Sequence, residues 1–161
     1  MVTVSVEGAK PRTVLVVDDH GPLRALCRIS LEDACFRVLE ARDGEEALAC
    51  VRAEHPDMIL LDVMMPGISG WEVTAELLAD RSTDQIPIIF ISARSELSDR
   101  MRAFELGAHG YLAKPFDPAV LADTVAAVLG QIERGERDAA LAETLAALRK
   151  ERISSAKPSA S

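Results

Sequence analysis

The feature that most restricts what this chain can fold into is a regular alternation of short apolar runs with segments of helical periodicity. Residues 14–17 (VLVV), 36–39 (FRVL), 58–61 (MILL), 86–91 (IPIIFI) and 111–112 (YL) are short, mostly apolar and largely β-branched or aromatic. Runs of this kind suit strands buried on both faces. Between them, Leu23, Leu26, Cys27 and Leu31 recur at helical spacing after Gly21-Pro22. Ala47, Leu48 and Val51 do the same after the Asp43-Gly44 turn, and residues 71–79, 97–106 and 118–129 continue the rhythm. Five strands, each followed by a helix, require crossover connections, and such connections build a parallel sheet covered on both faces. An α/β fold of three layers is therefore expected.

Composition sets the remaining bounds. The 161 residues carry 18 Lys+Arg against 26 Asp+Glu, a formal net charge of -8, and 48% of them are hydrophobic. This fits one globular domain with a short appendage. An acidic chain without a basic stripe has little means of displacing counterions from nucleic acid, so no direct nucleic-acid binding is expected. Asp62 and Pro87 interrupt the longest apolar runs, so no membrane span is expected, and the N-terminus lacks the pattern of a secretory leader. Cys27, Cys35 and Cys50 form no CxxC pair and read as reduced core thiols in a cytoplasmic protein.

Open parallel sheets bind ligands at the carboxyl ends of their strands. Here those positions hold Asp18 and Asp19, Asp62, Ser92 and Lys114. Taken singly, an Asp or Ser after a strand is as well explained as the N-cap of the next helix. Together, three carboxylates, a hydroxyl and an ammonium on one sheet edge have no such explanation. Crowded carboxylates repel unless a cation neutralises them, and an all-oxygen cluster favours a hard ion such as magnesium. His20, His55 and His109 have no metal-ligand spacing and read as exposed or capping residues. A carboxylate cluster with a Lys and a Ser aimed at it fits phosphoryl-group chemistry.

Four stretches in register carry a family resemblance. They are Asp18-Asp19, residues 60–70 (LLDVMMPGISG), Ser92-Ala93, and residues 107–116 (GAHGYLAKPF). Together they resemble the receiver domain of two-component response regulators, of the stand-alone, chemotaxis-regulator type. The resemblance implies a flavodoxin-like strand order 2-1-3-4-5 and a protein that catalyses only its own phosphorylation and dephosphorylation. It implies that Asp62 is the phosphoacceptor, supplied by a histidine kinase or histidine phosphotransfer protein. Asp18, Asp19, Asp62 and the backbone carbonyl of Met64 would hold Mg2+. Lys114 would contact the phosphoryl oxygens, Ser92 and Tyr111 would be the switch pair, and Lys114-Pro115 would be a cis peptide. Ser92 stands where threonine is more frequent, and Met64 and Arg94 sit where side chains can screen the acyl phosphate from water.

The organisation expected from sequence is a flexible segment at 1–11, a receiver at 12–130, a helical extension at 131–153 and a disordered tail at 154–161. Leu141, Leu145 and Leu148 share one face of the extension, with Gly135 as a break before it. The leading output is phosphorylation-controlled binding of a downstream protein target, and any homodimer is expected to be weak. Alternatives are an adaptor signalling through its C-terminal helix and the receiver portion of a longer transcription factor. An aspartyl-phosphate phosphatase is disfavoured, because the second acidic residue and cap domain that such enzymes need are not visible.

Overall fold

The computed structural model describes residues 10–94 and 96–156. The expected loose segment 1–11 and tail 154–161 therefore fall largely outside the described residues. Five strands alternate with helices: β1 (Thr13–Val17), α1 (Gly21–Asp33), β2 (Arg37–Ala41), α2 (Gly44–Glu54), β3 (Met58–Asp62), α3 (Gly70–Ala79), β4 (Ile88–Ser92), α4 (Leu97–Glu105), β5 (Gly110–Ala113), α5 (Pro118–Glu133) and α6 (Arg137–Ala156). All pairings are parallel, in the order β2-β1-β3-β4-β5. The expected fold and strand order are both borne out.

Alternation along each strand divides the core into two layers. Leu15, Val17, Ile59, Leu61 and Phe90 face α2, α3 and α4, meeting Ala47, Val51, Val73, Leu77 and Ala103. Val14, Val16, Leu60, Ile89 and Ile91 face α1 and α5, meeting Cys27, Leu31, Leu121 and Val125. Because both faces are covered, β1, β3 and β4 are buried at every residue, which is why they read as unbroken apolar runs.

Helix starts follow local chemistry. Asp43, Ser69 and Asp117 cap α2, α3 and α5 with their side chains, and Ser69 and Glu72 form a reciprocal capping box. At the other end of the chain, α5 runs past Gly130 to Glu133. Gly135, at φ 70°, turns the chain between α5 and α6, and α6 continues through residues 154–156. The break before the extension falls at Gly135, as expected, while the last turn of α5 runs three residues past the expected boundary at 130. α6 packs against α4 and, more lightly, α5, with Leu148 buried.

Candidate functional site

One local device positions three of the expected residues. Asp18 follows β1, and Asp62 and Ser92 end β3 and β4. Each accepts a hydrogen bond from the backbone N–H two residues on: His20 to Asp18 Oδ1 at 2.8 Å, Met64 to Asp62 Oδ1 at 3.1 Å, and Arg94 to Ser92 Oγ at 3.0 Å. A short polar side chain that folds back on its own turn is held where the strand ends. None of the three caps the next helix. That role goes to the His20 imidazole for α1 and to Ser69 for α3, while α4 has no side-chain cap.

Strand order then brings the groups together. Asp18, Asp19 and Asp62 each offer a carboxylate oxygen within 4.8 Å of the others. Asp18 and Asp62 are buried, while Asp19 is exposed. Lys114, arriving from the end of β5, places Nζ 2.7 Å from Asp18 Oδ2 and 3.1 Å from Asp62 Oδ2. Lys114-Pro115 is cis, as expected. Arg24 donates from Nη1 to the Asp18 carbonyl at 2.7 Å and anchors the end of β1.

The electrostatics are those of an over-acidic cluster. Burial, and then the neighbouring Asp18 charge, raise the Asp62 pKa above the usual carboxylate range, against the opposing pull of the Met64 N–H and Lys114. Burial pulls the Lys114 ammonium down, but its contacts with Asp18 and Asp62 outweigh that and raise it overall. One ammonium thus faces three carboxylates, two of them buried. Among the described residues, Asp18 Oδ2 is buried with no aligned hydrogen bond, and Lys114 is its sole ionic contact. A buried, under-satisfied oxygen beside two further carboxylates fits a hard cation.

The chain beyond Ser92 is tied to α4 and β5. The Tyr111 hydroxyl donates to the Arg94 carbonyl, and Arg94 Nε lies 3.5 Å from Oδ2 of the buried Asp99 on α4. On the other flank, α3 approaches the site closely at Gly70. A Cβ there would lie 2.4 Å from the Asp62 carbonyl oxygen and 2.9 Å from Val63 Cα. Met64 is 55% exposed beside the site, and Arg94 is also exposed.

These positions match a known family. The response regulator receiver domain model matches residues 14–126, a span that includes all of the site residues. The chain belongs to the response regulator receiver domain family. Among curated receiver-containing relatives, the phosphate regulon transcriptional regulatory protein PhoB of Pseudomonas aeruginosa is 39% identical over 128 residues, 80% of this chain and 56% of that protein. The probable transcriptional regulator ycf27 of Porphyridium aerugineum is 39% identical over 121 residues, 75% of this chain and 49% of that protein. The chain thus spans about half the length of the curated relatives it matches. The solved structure of chemotaxis protein CheY4 of Vibrio cholerae superposes with a TM-score of 0.70 at 32% identity, covering 74% of this chain and 99% of that one. Receiver domains of this family belong to the response regulators of two-component systems.

The structure brings Asp18, Asp19, Asp62 and Lys114 into one cluster and sets Ser92 at the neighbouring strand end, with Tyr111 beside the following loop. Three readings need correction. His109 is neither exposed nor capping: both ring nitrogens are buried without partners among the described residues, and burial pushes its pKa down to about 4. Cys35 is an exposed thiol at φ 70° rather than a core residue, because it lies in the turn out of α1. Gly44 is the first residue of α2 rather than merely part of a turn, packed where a Cβ would overlap the Ile68 side chain. Sequence reasoning also missed Arg24, Gly70 and Asp99. The Ser69-Gly70-Trp71-Glu72 capping box was the one sequence signal that α3 begins immediately at the site.

Proposed function

We propose that Asp62 is the phosphoacceptor of this receiver and that its phosphorylation controls binding to a downstream protein. An Asp62 carboxylate oxygen attacks the phosphorus of a phosphohistidine on a histidine kinase or phosphotransfer protein. The P–N bond breaks, the departing imidazole takes up a proton, and Asp62 becomes a mixed carboxylic-phosphoric anhydride. Water later attacks phosphorus and returns the carboxylate and inorganic phosphate. The chain catalyses nothing beyond these two steps on itself. Asp18, Asp19, Asp62 and the Met64 carbonyl would hold Mg2+, which, when bound, neutralises phosphoryl oxygens as charge moves onto them. Lys114 stands ready to pair with the same oxygens, because its ammonium already bridges Asp18 and Asp62.

The observation that carries this reading is the under-neutralised carboxylate cluster with Asp62 held at the end of β3. Beside it, Leu23, Leu26 and Phe116 line an apolar groove that reaches Lys114, a surface suited to docking the donor protein within reach of Asp62. No helix among the described residues is long and apolar enough to cross a membrane, consistent with the cytoplasmic location we propose. Intact-mass measurement after incubation with acetyl phosphate and Mg2+ tests the reading. One phosphoryl group should be gained, require the metal and be absent in Asp62→Asn; phosphate mapped to Ser92 would refute it.

A further inference from the structure

A cavity of about 300 Å³ lies between the end of α4, the turn into β5, α5 and the first half of α6. It sits at the opposite end of the strands from Asp62: the His109 N–H bonds to the Ile88 carbonyl at the start of β4, whereas Lys114 follows the end of β5. Phe104, Val128 and Leu141 give it apolar walls. An apolar lining with a few convergent polar groups is the make-up of a small-molecule site.

Two of those polar groups have unmet bonding capacity. Both ring nitrogens of His109 are buried with no hydrogen-bond partner among the described residues. Burial first, and then the Arg137 charge, hold the His109 pKa at about 4, so the ring is neutral at pH 7. A neutral imidazole carries one N–H donor and one lone pair, and leaving either unpaired in the interior is costly. Arg137, at the start of α6, is the one charged residue among those lining the cavity. Its Nη2 lies against the turn, 4.0 Å from the place a Cβ on Gly107 would take. Among the described residues Arg137 has no ion pair: Glu133 and Glu136, its acidic neighbours in sequence, pair with Arg12 and Arg134, and Asp84 borders a narrow space beside it without pairing.

A guanidinium without a counterion, a neutral imidazole and apolar walls select an anion with an apolar body. The planar fork of an arginine matches the two oxygens of a carboxylate. Phosphate would bring further oxygens that need donors. The Thr124 and Thr144 hydroxyls, which also line the cavity, already donate to the Val120 and Ala140 carbonyls and so supply none.

We propose that this cavity binds a small organic carboxylate, its charged end on Arg137 and an imidazole N–H of His109, its apolar body between Phe104, Val128 and Leu141. Such a ligand joins α6 to α5 and to the turn before β5. Occupancy therefore clamps the first half of a helix whose only buried side chain is Leu148. Phosphate on Asp62 is not required.

Sodium benzoate is the probe, titrated into the full chain at constant ionic strength and followed by amide chemical shifts. Benzamide serves as the uncharged isostere and inorganic phosphate as the anion without an apolar body. Benzoate should saturate with a dissociation constant on the order of a millimolar or tighter, shifting residues 104–109, 124–131 and 137–144. Benzamide should bind about tenfold or more weakly, as should benzoate to Arg137→Gln. With benzoate at about ten times its dissociation constant, amide exchange across 137–144 should slow about tenfold. Ala140→Phe, which fills the cavity, should abolish binding and leave phosphate loading of Asp62 from acetyl phosphate unchanged. Benzoate shifts that never saturate, or that saturate equally in Arg137→Gln, would overturn the proposal. So would benzamide binding as tightly as benzoate, which removes the carboxylate from the recognition, and so would phosphate binding more tightly, which leaves a site for inorganic anions only.

Discussion

Two residues set the character of the site, and a third, His109 at the opposite end of the strands, sets how the fold responds to acid. Asp62 has its pKa raised by burial and by Asp18, so the folded state holds its proton more tightly than the unfolded chain does. The sign follows: ionising Asp62 costs the fold stability, a penalty absent below the ordinary carboxyl range and complete above the raised folded value. In the absence of Mg2+, Asp62→Asn should therefore be more stable than the parent at pH 7 by about 1 kcal/mol, with the advantage disappearing in acid, as read by urea melts at several pH values. A less stable variant at neutral pH would mean that Lys114 neutralises both carboxylates fully. Gly70 acts by having no side chain. Since the Cβ of Gly70→Ala would press on backbone atoms of Asp62 and Val63, that variant should lose about 2 kcal/mol and accept phosphate more slowly. His109 gives the acid limb. Its pKa of about 4 lies below its ordinary 6.5, so its contribution to stability is complete above pH 6.5 and is lost progressively as the pH falls toward 4. His109→Gln should flatten the stability profile across that window.

Elements differ in how firmly they are held. α1 and α5 pack on one face of the sheet through Cys27, Leu31, Leu121 and Val125, all fully buried, whereas α6 contributes Leu148 at 6% exposure. Leu148→Ala should cost about 2 kcal/mol or less, released as local opening of α6, and leave Asp62 phosphorylation intact. α4 carries its own reporter. The Arg102 guanidinium sits 4.5 Å from the centroid of the Trp71 ring, and Trp71, the one tryptophan of the chain, also packs on Phe90 of β4. A displacement of α4 changes the cation above the indole. Phosphorylation should accordingly shift Trp71 emission, and Ser92→Ala should accept phosphate while showing a much smaller shift. An equal shift in Ser92→Ala would take that hydroxyl out of the coupling.

At the scale of the molecule, the strand order decides where chemistry occurs. β1 and β3 are neighbours at the centre of the sheet, the point where the chain reverses its direction of winding, so their ends bring Asp18, Asp19 and Asp62 together. Lys114 closes the group from the edge strand, reaching across β4 to both buried carboxylates. A cation bound here would stabilise the native state alone and so raise the melting temperature with concentration. Mg2+ should raise it by several degrees at saturating levels, and Asp18→Asn should abolish most of the rise; an unchanged rise would place the bound metal elsewhere.

The sequence by itself determined the alternation, the strand order through its resemblance, and the ends of strands as the place to look. The alternation and the strand ends rest on local rules: buried parallel strands must be apolar throughout, and a short polar side chain can bond to its own turn; the strand order came with the resemblance alone. Only the tertiary structure decided the contacts between distant stretches. His109 shares a cavity with Arg137 and Ala140 of α6, which are close to it in space and remote in sequence. The close approach of Gly70 to Asp62 depends on how α3 sits on β3, and the docking of α6 along α4 depends on a turn at Gly135 that its residues alone leave free to point in many directions. Periodicity marks which face of a helix is apolar, and packing decides what that face meets.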